Sequence, residues 1–285
     1  MKSALFGLGI DLKVVRPWDR ARFLGLRKLR KSDVFMCSYP RSGNTWTRMI
    51  VACLLDPGIE AIDLDLIDGL VPECGHENER QGRPRVFKEH AAKFDVFPRV
   101  LYNHRDGRDC VVSAHRYARS ALGSRLSALG YAGSMREFLV DRRAQVFGFW
   151  HEHVGQALAF KARYPDRICM VGYERLREAP GEEIARIAAF LGLPASSQRI
   201  DRIIEMTDLE RQKRAKSYDD PRKKHTLQAG RTGSWRDVLP HEDLVIFEGL
   251  SARVMIELGY PLSTPGTADP RGWPNAPKAA DRSSA

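Results

Sequence analysis

The 285 residues are enough for one large domain with a sizeable core, and a composition of 43% hydrophobic and 29% charged residues excludes a disordered chain. The formal net charge of +10 points to anionic partners such as nucleotides, acidic substrates, nucleic acid or an anionic membrane surface, without choosing among them. No apolar run reaches the roughly 18 to 20 residues of a membrane-spanning helix, and five scattered cysteines favour a reducing compartment, so we expect a cytoplasmic protein.

Residues 1–32 form a basic amphipathic segment, in which apolar residues precede a run of arginines and lysines. Such a segment can lie on a membrane or cover a substrate tunnel. We favour a third interpretation, an additional helix on the outside of the domain with a solvated basic face. One domain is predicted over residues 33–262. A flexible tail is predicted over residues 263–285, which are rich in Pro, Gly, Ala, Ser and charged side chains.

A strand, a loop and a helix are predicted in succession near the start of that domain. Residues 34–37 are an apolar run of strand length, and residues 46–55 carry apolar side chains at helical spacing. The loop between them, residues 39–46, reads YPRSGNTW. Because the first backbone N–H groups of a helix have no intrahelical partner and lie at the positive end of its dipole, this loop is suited to bind a phosphate.

Each polar residue of the loop has a predicted task. Gly43 lets the backbone approach a ligand closely, and Arg41 supplies a permanent positive charge. The side chains of Ser42, Asn44 and Thr45 are predicted to donate hydrogen bonds to the anion. A capped helix without a ligand is the plainer alternative, since Ser, Thr and Asn commonly begin helices. The loop lacks the second glycine and the lysine of a Walker A loop, which disfavours a nucleotide kinase or ATPase.

The remaining elements alternate between strands and helices. Strands are predicted at 85–90, 99–103 and 167–171, and helices at 107–120, at 135–160 with an interruption near Arg142, and at 180–191, while 60–85 is expected to be irregular. This order predicts an α/β fold, with a central parallel sheet, helices on both faces and a P-loop-like phosphate site. Ligands of such sheets bind at the carboxyl ends of the strands, so residues 41–45, residues 88–90 and Arg105 are expected on one rim.

Two segments together resemble one protein family. The loop 39–46 resembles the Y-P-K-S-G-T-T-W loop of the cytosolic-type sulfotransferases, and residues 105–113, RDGRDCVVS, resemble their R-N-P-x-D-x-x-x-S element at Arg105, Asp109 and Ser113. The resemblance implies a sulfotransferase that uses 3′-phosphoadenosine-5′-phosphosulfate (PAPS) and releases 3′-phosphoadenosine-5′-phosphate (PAP). It also implies that the loop binds the 5′-phosphosulfate, while Arg105 and Ser113 hold the 3′-phosphate.

Weaker matches follow in the family's order. Residues 149–154, FWHEHV, resemble the G-S-W-x-x-H-V helix, and residues 172–176 resemble the Y-E-D-L segment. By this resemblance Tyr173 and Trp46 pack around the adenine, with Thr207 near the base. Residues 230–236, GRTGSWR, resemble the loop that closes over the 3′-phosphate, which adds Gly230 and Arg231 to the binding residues. Gln228 and Ala229 depart from the Arg-Lys pair of the family, which leaves that phosphate contact incomplete or dependent on Arg231 or on Arg222, Lys223 and Lys224.

The predicted catalytic residues are His90, Arg41 and Lys88. Residues 88–90 resemble the K-T-H segment of the family, whose histidine is the general base. Carbohydrate sulfotransferases often use a glutamate instead, and Glu89 is adjacent; since neighbouring strand residues point to opposite faces, only one of the two is expected to reach the site. Arg41 stands where most relatives carry lysine, and a guanidinium stabilises the charge of the leaving group but does not act as an acid.

The partners follow from the same resemblance. We expect a small-molecule, lipid or carbohydrate acceptor with a hydroxyl group, and no nucleic acid. The acceptor pocket is expected to use residues 60–85, residues 120–149 and the segment before Gly230, with Phe147 and Trp150 among its apolar side chains. A membrane contact through the basic N-terminus and a homodimer are left open. Two rival functions are a P-loop-like nucleotide kinase and a non-catalytic basic protein that binds nucleotides or nucleic acid.

A metal site is not expected. His151 and His153 are alternate residues of a predicted helix, so their side chains point about 200° apart and do not share one ion. The HExxH spacing of zinc enzymes is also absent from the sequence.

Overall fold

The computed structural model describes residues 17–76, 84–121, 133–214 and 231–264, and a sheet of four parallel strands lies at its centre. The strands are β1 (Val34–Ser38), β2 (Val86–Glu89), β3 (Arg99–His104) and β4 (Ile168–Gly172), in the order β2-β1-β3-β4. In the register, Val34 pairs with Val86 on one side of β1 and with Arg99 on the other. The parallel sheet of the predicted α/β fold is confirmed.

Helices connect and cover these strands. In chain order the described α-helices are α1 (Pro17–Phe23), α2 (Asn44–Leu55), α3 (Leu64–Leu70), α4 (Gly107–Ala121), α5 (Met135–Val140), α6 (Trp150–Arg163), α7 (Tyr173–Glu178), α8 (Pro180–Leu191), α9 (Ser197–Thr207), α10 (Leu209–Arg214) and α11 (His241–Glu257). Short 3₁₀ turns occur at Arg142–Ala144, Pro165–Arg167 and Ser234–Asp237.

Both faces of the sheet are buried by helices, as predicted. Successive strand residues point to opposite faces, so β1 divides its side chains between two cores. Phe35 and Cys37 enter one core, which also holds side chains of α4, α6 and α11. Val34 and Met36 enter the other core, which holds side chains of α2, α3, α8 and α9. A strand buried on both faces explains why β1 reads as a continuous apolar run.

Most predicted elements agree with the structure within a few residues, and α8 has the predicted bounds, with Pro180 in its first turn and Gly192 at its end in the left-handed conformation. The irregular segment predicted over 60–85 is wrong in part, because α3 lies within it. The carboxylate of Asp63 accepts a hydrogen bond from the N–H of Leu66 and begins that helix. Residues 77–83 lie outside the described residues.

Two contacts lie at the predicted boundaries of the domain. Asp33 is fully buried and forms an ion pair with Arg85 at the start of β2. At the other end, Ser263 and Thr264 donate backbone hydrogen bonds to the buried carboxylate of Glu248. Residues 1–16, which are half of the predicted amphipathic segment, and residues 265–285, which are most of the predicted tail, lie outside the described residues. Within the part of the chain that is described, no helix is long and apolar enough to cross a membrane.

Candidate active site

A cavity of about 410 Å³ lies at the carboxyl ends of the strands. Its walls come from the loop after β1, the end of β2, the β3–α4 junction and the segment that begins at Arg231. Most of the predicted site residues therefore meet in one place. The lining residues are Pro40, Arg41, Gly43, Asn44, Thr45, Trp46, Lys88, His90, Arg105, Asp109, Val112, Ser113, Arg116, Tyr117, Phe147, Tyr173, Leu209, Arg231 and Ser234.

The loop after β1 presents its backbone to the cavity. Gly43 has φ 88°, and a Cβ at this position would lie 2.5 Å from Cδ2 of Tyr173, so only glycine fits. The N-cap residue of α2 is Gly43, which has no side chain to bond the first-turn backbone N–H groups, so these groups can bind an anion. The side chains of Ser42 and Asn44, which were predicted to bind the anion, contact other groups of the protein. Ser42 is buried, with Oγ 3.4 Å from Sγ of Cys110, and Asn44 donates to Oγ of Ser38 at 3.0 Å.

Arg41 points along the cavity toward α4. Its Nε donates a hydrogen bond to Oγ of Ser113 at 2.9 Å, and its guanidinium lies 5.8 Å from the centroid of the Tyr117 ring. The backbone of Arg41 is in the left-handed region, with φ 72°, which is rare for a residue with a side chain. Burial lowers the pKa of Arg41, and repulsion from Arg105 contributes in the same direction. A bound anion would relieve this repulsion.

Arg105 is almost completely buried beside Arg41. Its guanidinium donates to the carbonyl of Arg231 at 2.7 Å, lies 3.5 Å from the carboxylate of Asp109, and stacks 4.5 Å from the centroid of Tyr173. Its Nε is buried and has no hydrogen-bond partner among the described residues. A buried charged donor without a partner is costly, so this atom favours an anionic ligand at the cavity.

Two aromatic rings form one end of the cavity. Trp46 and Tyr173 meet edge to face, with ring centroids 5.7 Å apart and an angle of 73° between the planes. A planar base can pack on rings arranged in this way. Thr207, predicted to lie near the base, does not line this cavity. Its hydroxyl donates to the carbonyl of Ile203 in the last turn of α9, and it lines a separate cavity of about 190 Å³ that also contacts Trp46.

The segment that begins at Arg231 is held against α4 by one carboxylate. Asp109 is buried and accepts hydrogen bonds from the N–H of Gly233 at 2.7 Å, Oγ of Ser234 at 2.9 Å and the N–H of Trp235 at 3.1 Å. The sequence matched the family pattern at Asp109 but indicated no task for it, since its partners lie far away in the chain. Gly230, Gln228 and Ala229 lie outside the described residues.

His90 follows β2 and faces the cavity. Its Nδ1 lies 3.0 Å from the carbonyl oxygen of Ser38. Because a carbonyl only accepts hydrogen bonds, Nδ1 carries the proton and Nε2 keeps its lone pair. Burial lowers the pKa of His90 to about 4, and the charge of Lys88 adds to the effect. The imidazole is therefore neutral at physiological pH and can accept a proton.

Glu89 and Lys88, the two residues before His90, each form an ion pair. Glu89 does not line the cavity; it pairs with Lys93 and accepts from the N–H groups of His90 and Ala91. Burial acts to raise the pKa of Glu89, but these bonds outweigh it and lower the pKa below its usual range. Lys88 lines the cavity and pairs with Glu73, a residue that the sequence did not single out. Residues 72–74 lie beside β2 through a parallel bridge, which brings the two together.

The remaining wall near His90 is partly apolar. The ring of Phe147, which was predicted to line the acceptor pocket, lies 5.5 Å from the imidazole of His90. Trp150, expected beside it, is instead buried in the core against Phe247. Tyr117 and Arg116 line this cavity as well, and the sequence did not identify either of them.

His151 and His153 have different surroundings. The ring of His151 stacks on Phe149, whereas His153 is bonded to Tyr102 and to the carbonyl of His90. Within the described residues, no group of three or more His, Cys, Asp or Glu side chains is arranged to bind a metal ion.

Comparison with known proteins identifies the family. A family model of the sulfotransferase domain matches residues 31–259. Cytosolic sulfotransferase 13 of Arabidopsis thaliana is 26% identical over 237 residues, which are 74% of this chain and 72% of the relative. The structure of mouse sulfotransferase SULT7A1 complexed with PAP is similar at a TM-score of 0.63 and 19% identity, covering 83% of this chain and 88% of that one.

A second solved structure has the same fold. Retinol dehydratase in complex with androsterone and inactive cofactor PAP has a TM-score of 0.58 at 23% identity, over 84% of this chain and 85% of that one. The match of the family model covers most of the chain, including residues 39–46 and 105–113. This chain therefore belongs to the sulfotransferase domain family.

Proposed function

We propose that this sulfotransferase moves a sulfuryl group from PAPS to a hydroxyl group of its acceptor, with His90 as the general base. The observation that carries the proposal is the meeting of two guanidinium groups, the half-buried Arg41 and the buried Arg105, with the neutral imidazole of His90 in one cavity. The cations suit a nucleotide with several negative charges, and the imidazole suits an acceptor that must lose a proton.

The cavity fits a bisphosphorylated adenine nucleotide. The partnerless Nε of Arg105 calls for an anion, Ser113 lies next to Arg41, and Trp46 with Tyr173 forms an aromatic end for the base. We assign the 3′-phosphate to Arg105 and Ser113, and the 5′-phosphosulfate to the backbone N–H groups after Gly43. The PAP bound by mouse SULT7A1, which has the same fold, supports this choice of nucleotide.

His90 prepares the acceptor for the reaction. With its proton on Nδ1, it offers the lone pair of Nε2 to the acceptor hydroxyl, and proton transfer to such a base contributes roughly 10² to 10⁴ in rate. Glu89 is the weaker candidate, because its carboxylate is engaged by Lys93 and two backbone N–H groups and does not line the cavity.

Cations stabilise the negative charge that develops on the leaving group. When bound, PAPS supplies the activated sulfuryl group and a phosphate as leaving group. Arg41 lies in the loop that receives the phosphosulfate end and remains charged throughout, so it acts by electrostatic stabilisation. Lys88 lies on the same cavity wall as His90 and adds a second positive charge there.

The acceptor is a small molecule, a lipid or a carbohydrate. Phe147 beside His90 and Tyr117 beside Arg41 provide apolar surface in the cavity, which favours an acceptor with an apolar or planar part next to its hydroxyl. Androsterone in the retinol dehydratase complex is an alcohol of this kind, bound by a protein with the same fold. A cytoplasmic location is part of the proposal and is consistent with the name of the Arabidopsis thaliana relative.

Nucleotide binding and transfer can be measured separately. Heat denaturation with PAP, with ATP and without ligand should show a larger rise of Tm with PAP. Stabilisation by ATP alone would contradict the proposal and favour the kinase. Incubation with ³⁵S-labelled PAPS and a panel of phenols, steroid alcohols and sugars should label at least one acceptor in the native protein and at least tenfold less in His90→Asn. PAP binding without label transfer to any acceptor would favour a non-catalytic nucleotide-binding protein.

A further inference from the structure

His153 is a buried histidine that does not line the cavity and is hydrogen-bonded to His90, the proposed base. Its side chain projects from the first turn of α6, and only 1% of the residue is exposed. Nε2 of His153 lies 2.8 Å from the backbone carbonyl oxygen of His90, and Nδ1 lies 2.7 Å from the hydroxyl of Tyr102. These three residues come from α6, the end of β2 and β3.

The direction of both hydrogen bonds follows from the chemistry of the partners. The carbonyl oxygen of His90 only accepts, so Nε2 of His153 carries a proton and donates it. Burial lowers the pKa of His153 to about 4, so the ring holds a single proton at neutral pH. Nδ1 is then an acceptor, and the hydroxyl of Tyr102 must be the donor. The ring of His153 therefore has one orientation and one tautomer that satisfy both partners.

His90 is held at three points by this arrangement. Its N–H donates to Oε1 of Glu89 at 2.8 Å, its carbonyl accepts from His153, and its ring Nδ1 donates to the carbonyl of Ser38. The bond to Ser38 leaves Nε2 as the free lone pair of His90. That bond requires the peptide of His90 to stay at a fixed distance from the end of β1, and His153 provides the contact that keeps it there.

We propose that His153 is a positioning residue for His90. By donating to the carbonyl of His90, it holds the backbone so that the His90 ring keeps its proton on Nδ1 and its lone pair toward the acceptor. Tyr102 acts one step further away, because its hydroxyl donates to Nδ1 of His153 and keeps the His153 ring from turning over. This inference rests on the proposed function, in which His90 is the base.

The test compares two replacements of similar size. His153→Gln keeps an N–H that can donate to the carbonyl of His90, whereas His153→Phe has no donor. Tyr102→Phe removes one hydroxyl and leaves the rest of the core, so it serves if His153→Phe does not fold. His151→Gln is the matched control, because His151 lies two residues earlier on the same helix, is also buried, and also has its pKa lowered by burial to about 4.

The first readout needs no acceptor. In protein labelled with ¹⁵N-histidine, the ring of His90 in the native chain should show the Nδ1–H tautomer. His153→Phe, or Tyr102→Phe in its place, should add a population with the proton on Nε2, while His151→Gln should not. An unchanged His90 tautomer in the folded variants would overturn the proposal.

The second readout is the rate of transfer to the best acceptor of the panel. We expect kcat to fall about 10-fold to 100-fold in His153→Phe, within the range that a general base contributes, and less than about 5-fold in His153→Gln. The Kd of PAP should stay within about twofold of the native value. Equal losses in His153→Phe and His153→Gln, or a parallel loss of PAP affinity, would mean a merely structural role. If native protein binds no PAP, the proposed function fails, whereas the tautomer experiment still decides the role of His153.

Discussion

Ser234 donates a hydrogen bond from Oγ to Oδ1 of Asp109 at 2.9 Å, although the two residues are 125 positions apart in the sequence. The same carboxylate accepts from the backbone N–H groups of Gly233 and Trp235. Asp109 also lies four residues after Arg105, which donates to the carbonyl of Arg231. One buried side chain of α4, just after Arg105, thus joins this helix to the segment that carries Arg231, on the side of the cavity assigned to the 3′-phosphate.

Asp109→Ala should weaken PAP binding about tenfold or more and destabilise the fold by about 1 to 3 kcal/mol, because three donors lose a buried acceptor. Isothermal titration with PAP and urea denaturation measure the two effects. Ser234→Ala removes a single bond and should lose less in both measurements. Equal PAP affinity in Asp109→Ala and in the native protein would show that the 231–237 segment does not need this anchor.

Arg105→Ala should lower PAP affinity about 10-fold to 100-fold, the usual cost of losing hydrogen bonds to a charged group. The affinity for adenosine 5′-phosphate, which lacks the 3′-phosphate, should fall much less in this variant. Arg119→Ala is the matched control, because Arg119 lies on α4, the helix that begins just after Arg105, and lines a different cavity. The assignment of the 3′-phosphate to Arg105 fails if both nucleotides lose affinity equally, or if Arg119→Ala has the same effect.

Arg41→Ala should reduce kcat about 10²-fold to 10³-fold, since it removes a charge aimed at the leaving group. Arg41→Lys keeps the charge and should retain most of the rate. Arg41→Gly separates charge from backbone strain: the left-handed φ of 72° suits glycine, so this variant should match Arg41→Ala in rate without losing stability. Single-turnover rates and thermal denaturation of the three variants test this. A slow Arg41→Lys would point to the guanidinium geometry instead of the charge.

The value of kcat/KM should stay constant as pH falls from 7 to about 5 and decline only near pH 4. The base is active when unprotonated, and the pKa of His90 is lowered to about 4. This limb belongs to kcat/KM, which reports the free enzyme. The anionic donor favours the protonated imidazole, so the limb in kcat should lie at higher pH. A kcat/KM limb near pH 6.5 would mean that the pKa of His90 is not lowered in the free enzyme, or that His90 is not the base.

The folded state should lose stability as pH falls from about 6.5 to 4. Burial lowers the pKa of His90, His104, His151 and His153 to about 4, while histidines of the unfolded chain titrate near 6.5. In this window the unfolded chain binds more protons than the folded chain. The free energy of unfolding therefore decreases as pH decreases, by at most about 1.4 kcal/mol per pH unit for each histidine. Urea denaturation at pH 7, 6 and 5 measures the slope. His153→Phe should reduce it, and a flat profile would contradict the buried neutral state.

Local patterns were enough to predict the elements that frame the site. The apolar run of β1, the helical spacing of α2 and the loop with Gly43 between them lie within about 20 residues, and strands alternating with helices imply a parallel sheet whose carboxyl ends share one rim. The convergence of Arg41, His90 and Arg105 on one cavity follows from that topology alone. The short helix α3 was missed because its surroundings are polar and contain several residues typical of turns.

The tertiary structure decided which partners each side chain has. Asp109 meets Ser234, His153 meets His90, and Lys88 meets Glu73 only because distant segments pack side by side, and no periodicity of the sequence records such pairs. Thr207 is different, because its hydroxyl finds an acceptor one turn away in its own helix. The sequence by itself determined the fold class and the strand-loop-helix unit around Gly43, which depend on local backbone preferences. The tautomer of His90, the anchoring of the 231–237 segment and the repulsion between Arg41 and Arg105 depend on burial and long-range contacts, which exist only in the folded chain.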